Sequence, residues 1–227
     1  TGVADLHRRG HEIGAHSISK IQDERYWTHS RSDIWELEMA GARQIAETFA
    51  DINDGSIVGL RTPFLYTGGN IQFTMMDQSF FAYDATITAP LFSAKEPVWP
   101  YSLQHRMPHQ CHRNAYKCPT RSVPVWVLPI NELDRRQDSE DSFITGCSLV
   151  SSCSDVYNQT QFERLLDFNL QRHLTSNKAP LSLGFDAAFL VKNFDFVETL
   201  AKWMDKVIDE ENVYFVTHFQ ALQWILT

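Results

Sequence analysis

His16 closes the segment Gly10-His11-Glu12-Ile13-Gly14-Ala15-His16-Ser17, and further along Arg61 opens Arg61-Thr62-Pro63-Phe64. Asp84 stands in Tyr83-Asp84-Ala85-Thr86, and Asp186 in Leu183-Gly184-Phe185-Asp186-Ala187-Ala188. Imidazole, guanidinium and carboxylate groups are the side chains that bind divalent cations or move protons at a carbonyl centre. A histidine at a strand end is more commonly structural than a ligand. What gives His16 chemical meaning is the company of Arg61 and Asp84, each at another strand end. The bland reading of Arg61 and Asp84 is an ordinary ion pair. Other polar groups carry less. His105, His109 and His112 flank Cys111 and are assigned to its loop rather than to a second metal site. Glu132, Asp134, Arg135 and Arg136 read as a solvated charge cluster.

The elements that must position these groups alternate along the chain. Residues 12–17 alternate around Ile13 and Ala15 and predict a strand ending near His16. Ser32-Asp33 reads as a helix start, with Ile34, Leu37, Ala42, Ile45 and Phe49 as its apolar stripe. A strand over 56–60 delivers Arg61, a helix over 70–79 follows the Gly68-Gly69 break, and a strand over 80–83 delivers Asp84. Residues 89–124 hold six of the nine prolines and read as a surface excursion, after which 125–128 resumes strand character. Helices are predicted over 161–173, 194–208 and 219–226, and strands over 181–185 and 213–216. Residues 161–173 carry Phe162, Leu165, Leu166 and Leu170 on one side. Alternating strands and helices predict a parallel sheet or barrel in one domain, with the site on the rim where His16, Arg61, Asp84, Asp186 and His218 recur.

Composition narrows the partners. The 227 residues are 43% hydrophobic and 12% aromatic, enough for one sizeable core. The formal net charge of −8 gives nucleic acid no basic footprint and disfavours anionic membrane surfaces. A neutral polymer is compatible, and Phe64, Tyr66, Trp99 and Tyr101 could stack on sugar rings, with at least two of the four expected in the core. No run of 18 apolar residues exists to cross a bilayer. The opening residues read like the middle of a domain, so a strand upstream is expected.

Cys111, Cys118, Cys147 and Cys153 have no zinc-ribbon or redox spacing. They read as two disulfides, the alternative being four buried thiols. Three connectivities are open, and pairing of sequence neighbours, Cys111–Cys118 and Cys147–Cys153, is the one expected. Asn158-Gln159-Thr160 is an N-glycosylation sequon, which points further toward secretion.

The stretches GHEIGAHSIS, RTPFLYTGGN, YDATITAPL, WPYSLQHRMPHQCH, CPTRSVPVWVLPINELDRR and APLSLGFDAAF resemble the polysaccharide deacetylases that share the NodB homology domain. Among these the chain is most similar to the arthropod chitin deacetylases, over essentially its whole length. The resemblance implies a distorted (β/α) barrel with a carbohydrate groove across the strand C-termini, secretion into cuticle or gut lining, and zinc-assisted hydrolysis of N-acetyl groups on glucosamine polymers. It implies His16 as a metal ligand and Arg61 as the group that orients the base carboxylate. It further implies that Asp84 pairs with Arg61, and that Pro63, Phe64, Tyr66 and Trp99 line the groove.

Three departures from the family pattern bear on chemistry. The Asp pair that serves as base and ligand lies on a strand upstream of GHEIG in the family, and this chain has no Asp-Asp pair. The metal motif His-Ser/Thr-x-x-His reads His16-Ser17-Ile18-Ser19-Lys20, which puts an ammonium where a second imidazole belongs. Asp186 occupies the position of the acid histidine. Lys20 and Asp186 are opposite charges at positions that face one cavity in the family, and an ion pair between them is the expectation. Two readings follow: a deacetylase working with unusual groups, or a relative that binds chitin without cleaving the amide.

Overall fold

A computed structural model of the chain describes residues 2–94, 96–111, 117–135, 146–153, 156 and 158–227. His112 and Arg136 lie outside the described residues. In chain order the elements are helices α1 (Gly2–Arg8), α2 (Glu24–His29) and α3 (Ser32–Ala50), strand β1 (Gly59–Leu60), helix α4 (Asn70–Gln78), and strands β2 (Tyr83–Asp84), β3 (Thr88–Ala89), β4 (Tyr101–Ser102), β5 (Trp126–Val127) and β6 (Ile130–Asn131). Helices α5 (Gln159–Thr175), α6 (Ala187–Lys192), α7 (Phe194–Val207) and α8 (His218–Leu226) complete the chain. The architecture is mixed α/β.

Two compact units are formed, one from Thr1–Thr88, Trp99–Ile130 and Thr217–Thr227, the other from Ala89–Val98 and Asn131–Val216. The first is built on a sheet of order β1-β2-β5-β4, in which β1, β2 and β5 run parallel and β4 is antiparallel to β5. Ala15 extends it by one parallel bridge to Leu60. Among the described residues the strands do not close into a barrel. The segments 181–185 and 213–216, expected as strands, carry no ladder.

Helix α3 forms where its sequence predicts but buries a different face. Trp35, Glu38, Met39, Glu47 and Ala50 point inward, while Leu37, Ile45 and Phe49 are exposed. Trp35 and Met39, four residues apart and both fully buried, face the core instead, and Trp35 packs against Trp27 with ring centroids 5.3 Å apart. The core of this unit gathers Trp27, Trp35, Met39, Ile57, Leu60 and Phe73 around the sheet.

In the second unit, α5 buries the predicted stripe of Phe162, Leu165, Leu166 and Leu170. Each such side chain contributes on the order of 1.5–3 kcal/mol when withdrawn from water. Phe162 stacks on Phe196 of α7 at 4.9 Å, and Trp203 Nε1 donates to Asp167 at 2.9 Å. Both expected disulfides are present, Cys111–Cys118 in the first unit and Cys147–Cys153 in the second. Of the residues read as a solvated charge cluster, two are not solvated. Glu132 and Asp134 are buried, with Glu132 Oε2 accepting Leu91 N–H at 3.1 Å and the Asp134 backbone bonded in both directions to the Asn169 amide.

His173 lies at 3% exposure, with Nδ1 donating to Ala179 O at 2.7 Å and, among the described residues, no partner for Nε2. Protonating Nε2 would bury an unpaired N–H, and burial accordingly lowers this imidazole to a pKa of about 4. The depressed value means that the unfolded chain binds the proton first. Stability from this site is complete above about pH 6.5 and is lost as pH falls toward 4, by at most about 3 kcal/mol. Urea unfolding at pH 5 and pH 7.5 should therefore show a decline that His173→Gln shrinks.

Candidate functional site

The parallel ladder sets neighbouring strand ends at one level. Ala15 N–H donates to Gly59 O at 2.9 Å, Arg61 N–H to Ala15 O at 3.0 Å, and Ala85 N–H to Leu60 O at 2.8 Å. Residues leaving the ends together are thus His16, Arg61 and Ala85, so His16 and Arg61 share one polar rim on the first unit. His16 is exposed, and its Nδ1 donates to Arg61 O at 2.9 Å, so Nε2 is the nitrogen turned away from that carbonyl.

Arg61 and Asp84 occupy this region without touching. Strand register pairs Asp84 with Leu60, so Arg61 falls beside Ala85, and consecutive side chains on a strand point to opposite faces. Arg61 Nε donates to Ala85 O at 2.8 Å. Asp84, fully buried, accepts from Gln72 Nε2 at 3.1 Å and from the Thr86 and Ile87 N–H groups at 2.9 and 3.0 Å. The expected contact is therefore an attraction through space. Burial pushes the Asp84 carboxyl up and the Arg61 guanidinium down, and each charge partly opposes the shift of the other.

Arg61 runs directly into a tight turn. Thr62 N–H donates to Thr86 Oγ1 at 3.0 Å, and its Oγ1 donates to Tyr66 O at 2.5 Å, closing a short 3-10 segment, Pro63–Leu65. Phe64 and Leu65 sit at φ of 55° and 60°, the left-handed region that non-glycine residues adopt at a cost of about 1–3 kcal/mol each. The turn holds Pro63 buried, Phe64 outward at 41% exposure, and the Phe64 and Tyr66 rings 5.8 Å apart. Trp99, half-buried, stacks on Trp224 of α8 at 6.1 Å. Tyr101 is tied to His109, whose Nε2 lies 3.1 Å from the phenol oxygen.

Two carboxylates that sequence reasoning passed over hold the rim in place. Glu12 accepts from Tyr83 Oη and, at 2.9 Å, from Phe219 N–H, joining the first strand segment to β2 and α8. Tyr83 lies flat over Gly59, where a Cβ would come within 2.0 Å of its ring, so this close approach requires glycine. His218 packs 6.0 Å from the Tyr83 ring; burial and the Arg61 charge lower its pKa, against the pull of Glu12.

Glu38 is the second. From the buried face of α3 it accepts Ile18 N–H at 3.0 Å, Ser19 N–H at 2.9 Å, Ser19 Oγ at 2.5 Å and Tyr26 Oη at 2.7 Å. It thereby anchors the turn from His16 to Lys20, in which Ser17 and Lys20 both have positive φ, 68° and 48°. Burial alone would raise the Glu38 carboxyl, but the hydrogen bonds from Ser19, Tyr26 and Ile18 outweigh it and hold it low. The sequence carried one signal for it: Glu38 follows Trp35 by three residues and so shares its face.

Lys20 ends that turn exposed, its N–H donating to Ser17 Oγ at 3.0 Å. Asp186 belongs to the second unit, where its carboxylate caps α6 by accepting Ala188 N–H at 2.8 Å. A zinc centre takes three or more protein ligands. Among the described residues no group of three His, Cys, Asp or Glu side chains could hold a metal, and His16 with Lys20 after it does not make a zinc site. The donors among the described residues do not fit the metal that the resemblance implies.

Glu38→Ala removes the acceptor for three backbone and hydroxyl donors of the turn and for Tyr26. We expect a loss of roughly 1–3 kcal/mol in urea unfolding, with Glu38→Gln intermediate. A loss under about 0.5 kcal/mol, the range of a neutral surface change, would mean that water replaces the carboxylate.

No family model matches the chain. It is 48% identical over 227 residues to Chitin deacetylase 1 of Bombyx mori, a match that covers 99% of this chain and 42% of that protein. It is 29% identical over 228 residues to Chitin deacetylase 8 of Bombyx mori, covering 98% of this chain and 57% of that protein. The chain thus spans about half the length of the curated relatives it matches. Along nearly its whole length the chain is thus similar to two chitin deacetylases.

Proposed function

We propose that this chain is one deacetylase-like domain, residues 1–227, of the distorted (β/α) barrel type, in a secreted protein that acts on chitin. The observation that carries the reading is the 48% identity to a chitin deacetylase along 99% of the chain. Two disulfides support an oxidising, extracellular setting, and no helix among the described residues is long and apolar enough to cross a membrane.

The reaction is hydrolysis of the N-acetyl group: water adds to the amide carbonyl, the C–N bond breaks, and acetate and a free amine are released. In this family zinc supplies the Lewis acid for that chemistry. Within this chain, His16 is the one motif ligand kept, Arg61 is the charged group beside it, and Asp84 fixes the end of the neighbouring strand β2. Phe64, Tyr66 and Trp99 offer the aromatic faces on which sugar rings stack, and the buried Pro63 shapes the turn that carries the first two. Asp186 stands where the family places its acid.

The competing reading rests on Lys20. An ammonium at the second ligand position repels a dication, and a chain so altered would hold chitin without cleaving it.

Acetate release from chitin oligosaccharides, with zinc supplied to the full-length protein, separates the two. Release that falls to the level of substrate alone in His16→Ala supports the enzyme. Absent release with retained oligosaccharide binding supports the binder. Lys20→His should then raise zinc affinity, read by titration calorimetry; an unchanged affinity would show that Lys20 is not what weakens the site.

A further inference from the structure

Asn158 precedes α5 in an extended conformation, φ −148° and ψ 166°, and is exposed. Its Oδ1 accepts Gln161 N–H at 2.9 Å, which satisfies one of the orphan donors of the helix's first turn. Among the described residues its Nδ2 makes no hydrogen bond. Thr160, two residues on, is also exposed. Asn-x-Thr is the acceptor pattern for N-linked glycans, and here it lies five residues beyond a disulfide-bonded cysteine, Cys153.

One planar amide therefore presents two faces. The oxygen turns inward to cap α5, and the nitrogen turns to solvent. We infer that Asn158 carries an N-linked oligosaccharide on Nδ2 while its Oδ1 continues to cap α5. The inference rests on the secretory part of the reading above. In the transfer, Nδ2 bonds to C1 of the donor sugar as the C1–O bond to a lipid pyrophosphate breaks; the lipid pyrophosphate departs and the amide gives up one proton. The product is a secondary amide, whose oxygen keeps its lone pairs, so glycan and cap do not compete. The sugar then stands off the N-terminal end of α5 in the second unit, which keeps that end hydrated.

The test is secretion of the full-length protein from an insect cell line, followed by enzymatic deglycosylation and peptide mass measurement. A glycan-bearing asparagine is converted to aspartate by that treatment. We expect the peptide with residue 158 to show the conversion in wild type and to be unmodified in Thr160→Ala. Asn158→Asp should lose the glycan and keep its melting temperature close to that of Thr160→Ala, whose unmodified Asn158 still caps the helix, because a carboxylate caps as the amide oxygen does. Asn158→Ala should lose both glycan and cap and melt lower. Protein recovered from the medium with residue 158 unmodified overturns this inference alone. Protein that stays inside the cell, unmodified, overturns the secretory reading as well. Equal melting of the Asp and Ala variants overturns the capping half.

Discussion

The rim depends on a carboxylate that water cannot reach. Asp84 gives its lone pairs to Gln72, Thr86 and Ile87, so the end of β2, the loop behind it and helix α4 are fixed by one side chain. Gln72 passes the restraint on, since its Oε1 accepts Gly68 N–H at 2.9 Å and so orders the entry to α4. Inside a protein such a network is strong when every member is satisfied and costly when one is missing. Arg61 stands close enough for its charge to oppose the burial cost of Asp84, yet spends its own Nε on Ala85 O.

Glu38 and Glu12 do for the neighbouring segments what Asp84 does for β2. Each brings a carboxylate to backbone N–H groups that no helix or strand partner reaches. Charge-assisted bonds of this kind are about twice as strong as neutral ones. That strength matters most at the turn from His16 to Lys20, where two side-chain-bearing residues are held left-handed. The geometry at His16 is thus imposed from α3, a helix with no motif residue on it.

How much of this was legible in the sequence follows from the physics of each element. The stripe of α5 was readable because a single apolar face meets a single core, so spacing and burial coincide. That of α3 was not. Leu37, Ile45 and Phe49 have helical spacing too, and only tertiary packing decides that Trp35 and Met39 turn inward with two glutamates between and beyond them. Glu38 and Glu132 look like surface residues in a one-dimensional reading, because what makes their burial tolerable is hydrogen bonds from segments distant in sequence. Strand ends carrying His16, Arg61 and Asp84 were legible from apolar runs that stop at a polar residue. The missing direct contact between Arg61 and Asp84 was not, since it depends on a register offset of one residue.

The positions that support the rim and the positions that depart from the deacetylase pattern differ in one physical respect. Asp84 and Glu38 are buried and bonded to several groups, so their loss would leave donors unpaired in the interior. Lys20 is exposed at the end of a turn, and its backbone N–H, not its ammonium, makes the bond that closes that turn to Ser17. A side chain at such a position can change from imidazole to ammonium with little effect on folding, because the fold takes nothing from it. Scaffold and charge are in this way separable at the turn: its closure uses the Lys20 backbone and the Ser17 hydroxyl, and leaves the charge of the side chain at position 20 free to vary.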